Sequence, residues 1–373
     1  MRTSRLAVLL AASCAAVSMA AYLFAQDGPQ APSSDSVAKP RKPATDSTPP
    51  EDQQIPSEYH KKDEIPETTF HSNATTVSVD VAVLDNKGRF IPNIPAGNFR
   101  VLEDNVPQKI ENTSKGEAPM TVCLLIEFSG RFQQFYSQTW YQTLTAAYGF
   151  VQTLKRDDYA AVISYDMNEQ VLSDFSTDRN KTYQALQELR IPGMSEANLY
   201  DALTDTEERM ENIEGRKAIV LLSSGVDTFS KLTFDKARKR IQEAAVPVFA
   251  ISLMQALRIM AEASMSGSQQ IGLLQADNQM KTFARETGGQ SFFPRFYGEF
   301  PSIYQAIAES LRNEYTLTYH PTNQAHDGSY RHIRVELVNP ATNEPLRVVD
   351  EKQKPIKYQI IAKQGYKAPH EVE

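Results

Sequence analysis

The chain has 373 residues, a net charge of -7 and 41% hydrophobic residues, which is ordinary for a globular protein with room for two compact domains. It has no basic stripe interleaved with aromatic residues, which argues against a nucleic acid as partner. Cys14 lies in an N-terminal apolar run, so Cys123 is left as a single thiol in the folded part and no internal disulfide is expected. Cys123 lies in an apolar strand pattern and is expected to be a buried structural thiol.

Residues 1–25 are predicted to be a targeting segment, either a signal peptide or an N-terminal membrane anchor. Arg2 and Arg5 precede residues 6–25, which carry no charge. That length fits a membrane span, whereas small residues near Ala20 and Ala25 fit cleavage, and the signal peptide is preferred. Either alternative predicts an exported protein that is secreted, periplasmic or tethered to the membrane through this segment.

Residues 26–67 are rich in proline, serine and mixed charge and contain almost nothing to bury. They are predicted to form a disordered linker, which serves as a spacer or is a plain leader. Strand patterns begin at residue 68, where Val77, Val79, Val81 and Val83 alternate with polar or small residues. A hairpin turn is predicted at residues 85–88, and a β segment is expected over residues 68–118.

Between residues 119 and 313, apolar strands alternate with amphipathic helices. The predicted strands are TVCLLIEF, YAAVISYD, EQVLSDF, KAIVLLSS, VPVFAISLM and GQSFF. Continuous apolar strands separated by helices predict an α/β fold with a doubly wound, mainly parallel sheet that is covered on both faces. The aromatic stripe that begins at Phe132 in the first helix is interpreted as core packing.

A second β segment is predicted over residues 314–366, after the last helix. Insertion of one domain into another is tolerated where the two termini of the inserted domain lie close together. We therefore predict that residues 68–118 and 314–366 pair into one small β-sandwich, with the α/β domain inserted between them. The alternative is two unrelated β appendages.

In an open α/β sheet, ligands bind at the carboxyl ends of the strands, and the first strand of this domain ends in EFSGRF. Together with NLYDAL, LLSSGVDT and the terminal YTLTYHPTN, this order of motifs resembles the von Willebrand factor A (VWFA) domain superfamily. The resemblance runs from Thr75 to Pro369 and is strongest to acidobacterial VWFA-related domain proteins. It implies a Rossmann-like VWA domain.

The resemblance also implies a metal-ion-dependent adhesion site. In the family, a D-x-S-x-S loop, a Thr before the third helix and an Asp after the fourth strand hold Mg²⁺ or Mn²⁺. Here the loop positions are Glu127, Ser129 and Arg131, the Thr position is Ala197, and the Asp position is Ser224. Two unit positive charges about 4 Å apart repel each other by several kcal/mol at an effective dielectric near 20. A guanidinium beside a single carboxylate therefore opposes the binding of a cation there. We therefore expect Arg131 to fold over Glu127 and replace the metal, and the alternative is that it points to solvent.

The sequence thus predicts an exported VWFA-related protein that binds another protein, is not an enzyme, and uses a degenerate adhesion site without a cofactor. Arg131 could then receive a carboxylate of the partner in bidentate geometry. The predicted partner-binding residues are Glu127, Ser129, Arg131, Ala197, Asn198 and Ser224. Three alternatives stay open: a Mg²⁺- or Mn²⁺-dependent adhesion module with a shell rebuilt from Glu127, Ser129 and Asp227, an envelope scaffold that binds nothing, and a hydrolase.

Two lesser features are weighed against plainer interpretations. His320, His326 and His332 surround a turn, and a hairpin with surface histidines is preferred to a zinc site. Asp201 and Asp227 could form an acidic rim or cap a helix.

Overall fold

A computed structural model describes residues 76–86, 88–115, 119–130, 144, 147–189, 196–213, 215–255, 258–259, 265–349 and 353–370. All of them belong to one compact unit, Phe70–Glu373. The predicted targeting segment and linker, residues 1–67, lie outside the described residues. Within the described part of the chain, no helix is both long and apolar enough to cross a membrane.

The strands are, in chain order, β1 (Val77–Asp85), β2 (Phe99–Glu103), β3 (Val106–Gln108), β4 (Ile110–Lys115), β5 (Met120–Glu127), β6 (Tyr159–Tyr165), β7 (Glu169–Ser176), β8 (Arg216–Ser223), β9 (Val248–Ser252), β10 (Ser291–Phe292), β11 (Tyr315–Tyr319), β12 (Tyr330–Leu337), β13 (Val348–Val349), β14 (Pro355–Ile356), β15 (Tyr358–Ala362) and β16 (Gly365–Lys367). The helices with defined bounds are α1 (Arg179–Glu188), α2 (Leu199–Met210), α3 (Phe234–Ala244), α4 (Gly267–Thr287) and α5 (Phe300–Arg312). Residues 147–153 are also helical.

Six strands form the central sheet, in the order β10-β9-β8-β5-β6-β7. The first five run parallel, and β7 runs antiparallel to β6. All eight residues of β5 are buried, because helices cover both faces of the strand. The predicted α/β class is confirmed, and the sheet is mixed because of β7.

Helices cover the two faces of this sheet in separate layers. Alternate side chains of β5, such as Val122 and Leu124, pack in a cluster that contains residues 147–154, α1 and α5. The intervening side chains, such as Cys123 and Leu125, pack against α2, α3 and α4. Cys123 is a free thiol and is fully buried. The period of two along β5 therefore assigns each side chain to one of two cores.

Two further sheets draw strands from both sides of the α/β region. One has the order β15-β1-β11-β4 and the other has the order β16-β12-β2-β3, while β13 and β14 form a small hairpin. Their facing side chains share one apolar cluster that includes Val79, Val101, Leu317 and Val335. After β2, the chain turns through Asp104 and Asn105, both with positive φ, before β3 begins. That geometry is the type I′ turn favoured in tight hairpins.

A buried carboxylate at the carboxyl edge of the sheet

The carboxyl ends of β5 and β8 bring together the main residues of the candidate site. The two strands are parallel neighbours, so Glu127 at the end of β5 lies beside Ser223 at the end of β8. Their apolar residues fix the register, and the first polar residues past the core therefore meet at one edge.

The carboxylate of Glu127 is saturated with serine donors. Its Oε1 accepts a hydrogen bond from Ser129 Oγ at 3.0 Å. Its Oε2 accepts three, from Ser223 Oγ at 3.0 Å, from the Ser224 backbone N–H at 2.7 Å and from Ser224 Oγ at 2.8 Å. The structure thus brings together three of the predicted site residues, Glu127, Ser129 and Ser224.

Ser223 and Tyr165 also belong to this network, and the sequence analysis missed both. The Tyr165 hydroxyl donates to Ser223 Oγ at 2.8 Å, and the Gly225 N–H donates to the same oxygen at 2.9 Å. The Ser223 hydroxyl in turn donates its own hydrogen bond to Glu127 Oε2. The serine doublet in LLSSG and the tyrosine that ends the neighbouring strand β6 were the available signals.

Burial dominates the electrostatics of the network. The side chain of Glu127 is 2% exposed, and desolvation raises the pKa of its carboxyl, although the bonds from Ser224, Ser223 and Ser129 act in the opposite direction. Desolvation, followed by the nearby Glu127 charge, also raises the pKa of the Tyr165 hydroxyl. Tyr165 therefore stays a neutral donor at physiological pH.

Ala197 and Asn198 lie where α2 begins, and their backbones hold the neighbouring loops. The Ala197 N–H donates to Thr228 Oγ1 at 2.9 Å, and the Asn198 N–H donates to the Asp166 carbonyl at 2.8 Å. The Ala197 side chain has no oxygen to offer a cation. Asn198 is 7% exposed, and its Oδ1 is buried without a hydrogen-bond partner among the described residues.

Asp201 and Asp227 serve loop and helix termini. Asp227 Oδ1 accepts from Ser230 Oγ at 2.5 Å and from the Tyr200 N–H, in the first turn of α2, at 3.3 Å. Asp201 accepts from the backbone N–H groups of Lys231 and Leu232 at 2.8 and 3.0 Å. Asp227 thus takes the expected role of a helix cap, whereas Asp201 holds the loop that precedes α3.

The residues described at this edge are a poor fit for the Mg²⁺ or Mn²⁺ that the fold family implies. The described part of the loop supplies one carboxylate, Glu127, whose oxygens already receive serine hydrogens. Small divalent cations need several oxygen ligands that point their lone pairs at the ion. Among the described residues, no group of three His, Cys, Asp or Glu side chains is arranged to hold a metal.

Arg131 and residues 193–195 lie outside the described residues, so the expected pairing of Arg131 with Glu127 stays a prediction. The described members of the predicted partner-binding set are all buried, at 1 to 7% exposure: Glu127, Ser129, Ala197, Asn198 and Ser224. Around them the edge is open, since Phe229 is 50% exposed and Thr228 and Asn168 are exposed as well. The buried set therefore forms the floor of a rim of accessible side chains.

Two of the histidines around the turn after β11, His320 and His332, make separate contacts. His320 Nε2 lies 3.2 Å from a carboxylate oxygen of Glu111 on the neighbouring strand β4. The His332 ring meets the Tyr330 ring edge-on at 5.1 Å.

The family model for the von Willebrand factor type A domain matches residues 122–294. Similar solved structures include proximal thread matrix protein 1 from the mussel byssus, at 10% identity over 56% of this chain and 51% of that chain, with a TM-score of 0.41. They also include a variant of the PilB minor pilin from Streptococcus sanguinis, at 9% identity over 53% of this chain and 62% of that chain, with a TM-score of 0.40.

A third similar structure is the vWF domain of the type V pili tip protein Mfa5 from Porphyromonas gingivalis, at 14% identity over 52% of this chain and 95% of that chain, with a TM-score of 0.39. The match spans about half the length of the mussel protein. No curated protein has a detectably similar sequence.

Proposed function

We propose that this chain, which carries a von Willebrand factor type A domain at residues 122–294, binds another protein through the carboxyl edge of its α/β sheet without a metal ion. Domains of this type are protein-interaction modules. The observation that supports metal independence most is the Glu127 carboxylate, which is buried and accepts four hydrogen bonds from Ser129, Ser223 and Ser224.

A cation at this position would have to compete with those serine hydrogens. Ser129, Ser223 and Ser224 would need to rotate so that their lone pairs faced the ion, which would remove three hydroxyl donors from Glu127. One carboxylate would then offset the dehydration of a doubly charged ion. Asp227 offers little help, because its Oδ1 is engaged by Ser230 and by the start of α2.

The expected ion pair between Arg131 and Glu127 belongs to the same proposal. A guanidinium would supply the positive charge that the metal supplies in the family's adhesion site. The rebuilt Mg²⁺ or Mn²⁺ shell of Glu127, Ser129 and Asp227 is the competing alternative, and it predicts partner binding that is lost in a chelator.

The proposed contact surface is the exposed rim rather than the buried floor. Phe229 follows the loop after β8, and its backbone N–H donates to the Ala197 carbonyl at 3.0 Å, which places it directly beside the site. A half-exposed aromatic ring next to polar side chains is a common anchor in protein interfaces. The serine network would hold the loops that carry this rim.

The proposal includes no catalytic step. The serines of the network donate to a buried carboxylate, and no described histidine takes part in it, so neither a nucleophile–base pair nor an acid–base pair is offered. We also propose that the protein is exported, secreted or tethered by residues 1–25, because these residues have the charge and apolar pattern of a targeting segment.

The test is affinity capture from envelope and secreted fractions of the source cells, with the full chain as bait. Phe229→Glu is expected to reduce recovery of the specific partner at least about tenfold, because it buries a charge in the interface. Recovery is expected to be equal in EDTA and in Mg²⁺.

Val106→Glu is the matched control, because Val106 is a similarly exposed apolar residue, at 49%, on the edge strand β3. Equal recovery with both variants would contradict a contact at the carboxyl edge. Recovery that fails only in EDTA would favour the metal-dependent alternative.

A further inference from the structure

A polar crevice of about 560 Å³ lies where the α/β domain meets the sandwich. One wall is formed by the last turns of α4 and by β10, and the other by β15 and the hairpin after β1. The crevice lies toward the amino end of the sheet, because α4 runs from the carboxyl edge to that end, where Gly289 lies against the start of β9.

Both strands that line the crevice are edge strands. β10 ends the order of the central sheet, and β15 ends the order of one sandwich sheet. An edge strand presents unpaired backbone N–H and C=O groups, which can bind an extended chain. Two such edges thus open into one crevice.

The register of β15 shows which of its backbone groups face outward. Ile360 lies opposite Val83 of β1, and the Val83 carbonyl accepts from the Ile91 N–H on the far side of β1. In an antiparallel pair, opposite residues either exchange both bonds or neither. Ile360 therefore turns its N–H and C=O away from β1, toward the open edge.

The register of β10 leads to a similar conclusion. The Ala250 N–H of β9 bonds the Gln290 carbonyl at 2.8 Å, and Ala250 lies opposite Ser291. In a parallel pair, a residue bonds the two neighbours of its opposite residue. The backbone groups of Ser291 therefore point away from β9, to the outer side of the sheet.

The charge of the crevice is positive. Lys281 and Arg285 are exposed, one turn apart on α4, and both line it. Among the described residues, no carboxylate pairs with Arg285 within 4.0 Å, and Lys281 Nζ lies 4.8 Å from the centre of the Phe293 ring. The one carboxylate in the lining, Asp85, is neutralised by Arg89 at 2.8 Å.

We propose that the crevice binds an extended, acidic peptide segment of another protein. The segment pairs with the outward backbone groups of Ile360 on β15, and its acidic side chains reach Lys281 and Arg285. Side-chain amides in the lining, Gln359 and Gln364, can pair with further peptide groups. This surface is separate from the carboxyl edge, so its failure would leave the proposed function untouched.

The experiment is selection of a random eight-residue peptide library displayed on phage against the full chain. Selected peptides are expected to carry Asp or Glu at alternate positions among β-forming residues. Arg285→Glu is expected to weaken their binding about tenfold or more, since a charge-assisted hydrogen bond is lost and a like charge introduced. Lys239→Glu, the same charge change on an exposed residue of α3, is the control and should leave binding unchanged.

Ile360→Pro is the second variant. It removes the outward N–H without removing a bond to β1, so it should weaken binding while the fold is kept. Three outcomes would each overturn the proposal. The selection could yield no binder, it could yield peptides without acidic enrichment, or the peptides could bind Arg285→Glu as well as they bind Lys239→Glu. Self-association of the chain that Ile360→Pro abolishes would assign the edge to a second copy and overturn it too.

Discussion

Glu169 is a residue near the site whose carboxyl changes its charge close to neutral pH. It begins β7 opposite Tyr165, at the same edge of the sheet as Glu127. Burial, followed by repulsion from Asp205 and a hydrogen bond that the protonated Glu169 donates to Asp205, raises the pKa of its carboxyl to about 7. The ordinary value for a glutamate is about 4.3.

This shift predicts how Glu169 affects the pH dependence of stability. Between pH about 4.3 and 7, the folded state keeps a proton that the unfolded state has lost, so this contribution to stability falls as pH rises and is constant above 7. The side chain of Glu169→Gln does not titrate, so the variant does not show this fall in stability. The variant should match the wild type at pH 4.5 and be more stable at pH 8, by at most about 1 kcal/mol because the site is half-exposed and screened.

Thermal unfolding of both proteins across that pH range is the measurement. Glu208→Gln, which removes a carboxylate that is 57% exposed, is the control and should shift neither end of the curve. A Glu169→Gln protein that gained stability at pH 4.5, or lost it at pH 8, would show that Glu169 is not held protonated in the folded state.

At the level of elements, the turn after β8 holds the serine network against α4. Gly225 has φ of 76°, and an added Cβ would lie 2.9 Å from Met280 Cγ and 3.0 Å from the Ala276 carbonyl oxygen. Gly215 has a similar φ of 82° but open space around it. Substitutions at the two glycines therefore distinguish the cost of backbone strain from the cost of close packing.

We expect Gly225→Ala to reduce the free energy of unfolding by about 2 to 4 kcal/mol. About 1 kcal/mol of this arises from the left-handed backbone, and the remainder from overpacking against α4. Gly215→Ala should lose only the contribution of about 1 kcal/mol from the left-handed backbone. Chemical denaturation with urea measures both, and equal losses would refute the packing contact.

The elements also show what the sequence can and cannot predict. Apolar runs were enough to place all six strands of the central sheet, although only the four inner strands are buried on both faces and the edge strands β7 and β10 are partly exposed. The antiparallel direction of β7 was not recognised, although only residues 166–168 connect it to β6, which is too short for a parallel crossover. The role of Ser223 was missed, because the serine doublet shows that a second donor is present but not how the ends of β5, β6 and β8 meet in space.

At the level of the whole molecule, the two four-stranded sheets combine strands from two distant parts of the chain. Tyr315 of β11 is central to this, because its hydroxyl donates to the Ile91 carbonyl and accepts from the Ile94 N–H, both at 3.0 Å. Strands were predicted on both sides of the α/β domain, but no local pattern identifies which distant backbone groups a tyrosine will satisfy.

Tyr315→Phe is expected to lower the free energy of unfolding by about 1 to 3 kcal/mol, since two buried backbone groups lose their partner. Tyr304→Phe is the matched control in α5, because the buried Tyr304 hydroxyl has no hydrogen-bond partner among the described residues. It should be neutral or slightly stabilising. Urea denaturation of both variants decides the point, and a larger loss for Tyr304→Phe would contradict the hydrogen-bond assignment.

The central claim is that the carboxyl edge of the α/β sheet works without a metal ion. Calorimetric titration of the full chain with Mg²⁺ and with Mn²⁺ tests it most directly, with Glu127→Gln measured in parallel. The account predicts no saturable binding of either ion to the wild type. Micromolar binding to the wild type that Glu127→Gln abolishes would contradict it.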